Sequence, residues 1–145
     1  MSEAPLSETV ADADLTDMLR GAMPLCGTLG IVGVSATPDR VEVAMDVTHD
    51  VSTSGGLVHG GAVMAIADSA GAVVAAMNLP AGATGTSTIE SKTNFLGGAS
   101  TGMIRAVATP LHVGSTTIVV ETEIRSDDRL IAKVTQTQAV LRQRA

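Results

Sequence analysis

Tryptophan and tyrosine are absent from this chain of 145 residues, and Phe95 is its one aromatic side chain. A platform for stacking bases or sugar rings therefore has nothing to be built from. Cysteine is almost missing as well. The single Cys26 rules out an intramolecular disulfide and a cysteine-cluster metal site, and it suits a reducing compartment. Positive charge is scarce: 9 Lys and Arg stand against 15 Asp and Glu, a formal charge of -6. That balance argues against non-specific binding to nucleic acid or to an anionic membrane. Long apolar runs are also lacking. Residues 57–79 are the longest weakly polar stretch, but His59, Asp68, Ser69 and Asn78 interrupt it, short of the roughly 18 consecutive apolar residues of a membrane span. The polar, acidic start, Met1-Ser2-Glu3-Ala4-Pro5, does not read as a secretory signal. The expectation is a cytoplasmic protein with no membrane and no nucleic-acid partner.

What is present is globular. Hydrophobic residues make up 45% and charged residues 17%, enough apolar surface for one core and too little charge for a disordered chain or a coiled coil. The length fits one domain. With so few aromatics, the core rests on Val, Ile, Leu, Met and Ala. Each such side chain buries modest area, which makes a homo-oligomer the expected route to further stability.

Along the chain, residues 1–8 read as a loose N-terminus. Asp12 or Asp14 caps a short helix to about Gly21, with Leu15, Met18 and Leu19 as its apolar stripe and Gly21 or Pro24 as its stop. Strand patterns follow at 29–37 and, with clean period-two alternation, at 41–47, joined by a turn at Pro38-Asp39-Arg40. Residues 48–58 form a loop of turn-forming residues. A long helix then runs from Gly60-Gly61 to about Met77, apolar round most of its circumference, until Asn78-Leu79-Pro80 stops it. Strands follow at 86–96, 103–109, 116–124 and 130–141, with Pro110 and a turn at 112–114 closing the second of these. One long helix against one antiparallel sheet is an α+β arrangement. A sheet wrapped around a central helix accounts for a helix that is apolar on nearly all sides.

One stretch carries chemistry. An ionisable residue inside an otherwise apolar helix is costly unless it is paired, hydrogen-bonded or part of a site, so Asp68 is the most conspicuous residue in the chain. It reads either as a general base or nucleophile in an apolar groove, or as a carboxylate bonded to a backbone or serine partner at an interface. His59-Gly60-Gly61 falls at the helix N-terminus, where the first N–H groups lack intrahelical partners and glycines admit a ligand closely. Such a site polarises a carbonyl or holds an oxyanion; the alternative is a flexible loop-to-helix junction in which His59 simply caps or orients the loop. Gly60 and Asp68 are eight residues apart, about 12 Å along a helix. They cannot act on one carbonyl carbon from the same chain. If both are catalytic, one subunit supplies the N–H and its partner the carboxylate, giving two equivalent sites in a dimer.

These residues resemble the hotdog-fold thioesterase superfamily, in its PaaI-like (phenylacetate-pathway) branch of acyl-CoA thioesterases. The resemblance rests on Gly56-x-x-His59-Gly60-Gly61 with Asp68 seven residues beyond, on Thr88-x-Glu90, on Asn94-Phe95-Leu96, on His112-x-Gly114 and on Leu130-Ile131-Ala132-Lys133. It covers about residues 25–142, leaving 1–24 as an N-terminal segment with a short helix and 25–145 as the hotdog domain. The resemblance implies an α+β hotdog fold, a curved antiparallel sheet around one long helix, assembled as a dimer or a dimer of dimers. It implies that the Gly60 N–H polarises the thioester carbonyl, that Asp68 of the other subunit activates water or attacks directly, and that His59 supports the substrate side. Thr88 matches an assisting hydroxyl on the next strand, ahead of Thr86 and Ser87. Gly61, Ser69, Met64, Phe95 and Ser87 are the implied substrate contacts. Where the family commonly has Asn, six residues before the histidine, this chain has Thr53, whose hydroxyl lacks the amide's reach.

The activity so implied is hydrolysis of an acyl-CoA thioester to the acid and free CoA, with acyl-CoA as substrate partner. The rival from another class is a non-catalytic acyl-CoA or acyl-carrier binding module; a purely structural homo-oligomer is a third. No cofactor and no metal are expected, since His49, His59 and His112 lie in unrelated segments without ligand spacing. For the CoA phosphates, Lys92, Arg105 and Arg125 are available, although each reads first as an ordinary solvated strand residue.

Overall fold

A computed structural model describes residues 2–145. Three short helices, α1 (Leu6–Thr9), α2 (Ala13–Ala22) and α3 (Pro24–Leu29), precede the hairpin of β1 (Val32–Thr37) and β2 (Arg40–Asp46). The long helix α4 (Gly60–Ala76) follows, and then β3 (Ala83–Phe95), β4 (Met103–Val113), β5 (Thr117–Ser126) and β6 (Arg129–Arg142). All six strands form one antiparallel sheet in the order β1-β2-β4-β5-β6-β3. The sheet does not close: β1 and β3 are its two edges. It curves around α4 in the hotdog arrangement.

Alternation builds the concave face. In β4, β5 and β6, every second residue is buried, among them Ile104, Ala106 and Ala108, then Ile118, Val120 and Ile124, then Ala132 and Val134. This is the period-two pattern of a sheet with one face on a core. Against it, α4 buries Ala62, Val63, Ile66, Ala67, Ala70, Val73 and Val74. These sit at helical spacing on the side that faces the sheet.

Four expectations from the sequence need correction. Residues 6–9 form a helical turn, α1, where a loose terminus was expected, and Ser7 ties it to β2 through the Asp46 carboxylate at 2.8 Å. Pro24 starts a helix rather than stopping one, since proline at the first helical position forfeits an N–H that would have no intrahelical partner. Residue 29 therefore ends α3, and Gly30 in the left-handed region (φ 72°) turns the chain into β1. At Pro110, β4 does not end. It runs to Val113 through a register slip between Pro110 and His112, a bulge that tolerates the missing N–H. Finally, α4 is not covered on nearly all sides: Gly61, Met64 and Ala76 are exposed, and Ala65, Asp68 and Ala72 half-buried. The sheet covers one side of the helix, and α2 and α3 cover only part of the other.

The N-terminal helices pack onto this body. Asp12 caps α2, accepting from the Leu15 N–H at 2.8 Å, and Leu19 of α2 is fully buried. Gly33 admits the approach of α2, since a Cβ there would collide with the Leu15 side chain. No helix of the described residues is long and apolar enough to cross a membrane.

Candidate active site

The loop before α4 is tied down by short-range bonds. A single turn at His49–Val51, an isolated bridge between Ser52 and Val58, and a turn closed by Gly56 N–H to Thr53 C=O (2.9 Å) lead into the helix. The His59 N–H donates to Val51 C=O at 2.8 Å, and its side chain caps α4: Nδ1 accepts from the Gly61 N–H at 2.8 Å. A Cβ on residue 61 would lie 2.9 Å from that nitrogen, so the second glycine is what lets the imidazole fold back. The capping role makes Nδ1 an acceptor, so that the proton of the neutral imidazole sits on the other nitrogen.

With Gly61 so occupied, the Gly60 N–H finds no acceptor among the described residues. Phe95, at the end of β3, packs against Gly60: a Cβ on residue 60 would come 3.2 Å from the ring carbon Cζ. The one aromatic ring of the chain, 54% exposed, thus stands beside a free backbone donor at a helix N-terminus, where the helix dipole favours negative charge.

Two turns along α4, Asp68 lines a groove of about 440 Å³ together with Met23, Leu25, Gly61, Met64, Ala65, Ser69, Thr88 and Ser91. Two donors converge on it, and a third orients one of them. Thr88 Oγ1 donates to Asp68 Oδ1 at 2.7 Å, Gln136 Nε2 donates to the same oxygen at 3.1 Å, and Gln138 Nε2 donates to Thr88 Oγ1 at 2.6 Å. Ser69 is turned the other way: its hydroxyl donates to Ala65 C=O at 2.8 Å and accepts from the Cys26 thiol at 3.2 Å. Burial pushes the Cys26 thiol above its ordinary range, outweighing the lowering effect of the Ser69 bond, so this cysteine is a poor nucleophile.

The structure thus gathers Asp68, Thr88, Ser69, Met64 and Gly61 in one groove, and His59, Gly60 and Phe95 at the helix end. Thr53 is exposed in the preceding turn and lines neither feature. Ser87 alternates with Thr86 and Thr88 along β3, is exposed, and stands outside the groove. The three basic residues have partners of their own. Lys92 donates to Asn94 (2.6 Å), Arg125 pairs with Glu123 (2.9 Å), and Arg105 pairs with Glu42 (2.6 Å). Burial acts to raise the Glu42 carboxyl, but hydrogen bonds from Arg105 and Arg40 outweigh it and hold the group below the usual carboxylate range. Among the described residues no three His, Cys, Asp or Glu side chains come together as a metal site.

Sequence reasoning missed Gln136 and Gln138, and also Met23 and Leu25, which close the groove from the N-terminal helices. A signal for the glutamines existed. The inward face of β6 reads Ala132, Val134, Gln136, Gln138, Val140, and two amides at apolar positions of an alternating strand call for a partner across the core.

Comparison with known proteins gives this geometry a family. Residues 55–133, from the turn before α4 into β6, match the description "Thioesterase superfamily". The chain is 36% identical over 120 residues to ComA2 of Bacillus subtilis (strain 168), a candidate esterase, covering 81% of this chain and 94% of that one. It is 30% identical over 105 residues to 1,4-dihydroxy-2-naphthoyl-CoA hydrolase of Listeria monocytogenes, covering 72% and 85%. Among solved structures, it superposes with a TM-score of 0.76 on a candidate thioesterase and phenylacetic acid degradation-related protein of Ralstonia eutropha JMP134, at 28% identity, over 87% of this chain and 98% of that one. A carboxylate held in a groove of α4, a free N–H at the start of the same helix and this match over most of the chain place the protein in the thioesterase superfamily, in its PaaI-like branch of hotdog-fold proteins.

Proposed function

We propose that the protein hydrolyses an acyl-CoA thioester to the free acid and CoA, at sites shared between two subunits of a homodimer. The observation that carries this reading is the separation of two complementary half-sites on one helix. The unpaired Gly60 N–H and the Asp68 carboxylate lie about 12 Å apart along α4, too far for one carbonyl group. Two α4 helices running antiparallel across a dimer axis bring the N–H of one chain beside the carboxylate of the other. The open strip of α4 and the free edge of β3, a strand of 13 residues paired on one side only, are surfaces a second copy would cover.

In the reaction, Asp68 of one subunit takes a proton from water as the water oxygen bonds to the thioester carbonyl carbon. The charge that gathers on the carbonyl oxygen is met by the Gly60 N–H of the other subunit, reinforced by the helix dipole. Collapse breaks the C–S bond, and the proton held by Asp68 passes to the departing thiolate. The products are the acid and the CoA thiol. Phe95 shields the oxyanion side from bulk water, and the thioether and small side chains of Met64 and Ala65 wall the groove. A second cavity of about 550 Å³, apolar and sharing Met23 with the first, is lined by Leu15, Met18, Ala72, Val73 and Met77; it has room for the acyl arm. The Listeria relative, a hydrolase of an aromatic acyl-CoA by name, supports CoA as the carrier.

The test is release of free CoA thiol from a panel of short, medium, long-chain and aromatic acyl-CoAs, with Asp68→Asn beside the wild type. Turnover of one class, lowered about 100-fold or more by the substitution, is the expected outcome for removal of a general base. Absence of turnover, with acyl-CoA nonetheless raising the melting temperature, would replace the enzyme with a binding module.

A further inference from the structure

Two buried amides remain that the reaction as written does not use. Gln136 and Gln138 are 0% and 1% exposed, on the inward face of β6. A buried amide without its hydrogen bonds destabilises the fold, and an unbranched apolar side chain of similar size avoids that cost. Packing alone gives no reason for glutamine at either position. Gln136 in addition leaves its Oε1 without a partner among the described residues. The opposing helix is also cleared for it: a Cβ on residue 71 would lie within 2.5 Å of the Gln136 amide carbon, and Gly71 supplies none.

The hydrogen bonds have a fixed direction. An amide nitrogen only donates, so Thr88 Oγ1 must accept from Gln138 Nε2. Its own hydrogen is then free to go to Asp68 Oδ1, the oxygen that also receives the Gln136 N–H. The chain of donors runs toward the carboxylate, and the two bonds that reach it, from Thr88 and Gln136, end on the same oxygen.

We propose that Gln136 and Gln138 are positioning residues for Asp68. They commit Oδ1 to the protein, Gln136 directly and Gln138 by orienting the Thr88 hydroxyl, and so leave Oδ2 as the atom that takes the proton from water. A carboxylate able to rotate would offer either oxygen at varying angles; this one is held in a single presentation before substrate arrives, as a preorganised site requires. The proposal rests on the reading of Asp68 as the catalytic base.

The experiment is a double-mutant cycle on Gln138→Met and Thr88→Val, with Gln136→Met in parallel, measured as kcat and KM on whichever acyl-CoA the wild type hydrolyses and as melting temperature. The expected result is that Gln138→Met stays folded, keeps KM and loses about tenfold or more in kcat, on the scale of a misoriented catalytic group. In the Thr88→Val background it costs nothing further, since its only route to Asp68 is gone, whereas Gln136→Met lowers kcat in both backgrounds. Wild-type kcat in Gln138→Met, a loss confined to KM, or losses that multiply in the double variant would each overturn the proposal. Should Gln138→Met not fold, Thr88→Val at wild-type kcat overturns it equally. A wild-type protein that hydrolyses no acyl-CoA would instead fail the thioesterase reading, and the proposal would fall with it.

Discussion

At the level of single residues, the groove and its surroundings are held by side chains whose partners are far away in sequence. Gly71 is the sharpest case. In an exposed helix, Gly→Ala gains about 1 kcal/mol from helix propensity. Here the added methyl meets the amide of Gln136, a fully buried side chain that would have to shift and give up its bond to Asp68, so the expected outcome of Gly71→Ala is a net loss of about 1–3 kcal/mol, the range for overpacking. Denaturant titration reads it; a gain in stability would show that the amide can move aside at no cost. Glu42 gives a second prediction. Its carboxyl lies below the ordinary range in the folded protein because Arg105 and Arg40 favour the charged form over the opposing effect of burial. A depressed folded-state value contributes stability above the ordinary carboxylate range, and that contribution disappears as the pH falls through the lowered value. The variant Glu42→Gln should therefore be less stable than wild type at neutral pH and converge on it in acid, measured as melting temperature between neutral pH and about pH 3. A constant difference across that range would mean that the ion pairs add nothing.

Among the elements, α4 was legible almost residue by residue, because its apolar run, its glycine start and its Asn-Leu-Pro stop are all local signals. Its cap is local as well, and testable. His59 Nδ1 supplies the bond to the Gly61 N–H, so His59→Ala should lose about 1 kcal/mol, whereas His59→Asn, a strong capping residue, should retain most of the stability. Equal melting temperatures for the two variants would remove the cap from the account. Elements whose boundaries depend on context were read less well. Pro24 and Pro110 both look like stop signals in isolation. One begins α3, where the missing N–H would have had no intrahelical partner, and the other borders a register slip in β4. Met23 and Leu25 reach the groove only because α2 and α3 fold back over β1 and α4.

For the molecule as a whole, the proposed sharing of the site between two chains makes the strongest prediction. Gly60 is the first helical residue, and His59 before it already has the extended backbone (φ -67°, ψ 135°) that precedes proline comfortably. Gly60→Pro thus removes the proposed oxyanion donor at a position where the helix tolerates proline. Alone, Gly60→Pro and Asp68→Asn should each be nearly inactive. Mixed, unfolded and refolded together, they form heterodimers in which one of the two sites has both an intact Gly60 and an intact Asp68. Activity should then recover to about a quarter of wild type for equal mixing into dimers with two equivalent sites. No recovery, with heterodimers demonstrated by differential tagging, would mean that each chain carries a complete site.

Local pattern was enough for the class of the fold, the long helix and the oddity of Asp68 within it, because hydrophobic periodicity and the cost of a charge among apolar neighbours are properties of a few consecutive residues. Even the argument for two chains needed only the rise of a helix. What surrounds Asp68 depended on long-range strand order. In the sheet, β3 crosses to the far edge beside β6, which brings Thr88 next to Gln138 and sets Gln136 opposite Gly71. Residues 68 and 136 meet because a sheet curls around a helix, and that contact is settled by the packing of the whole core rather than by either segment.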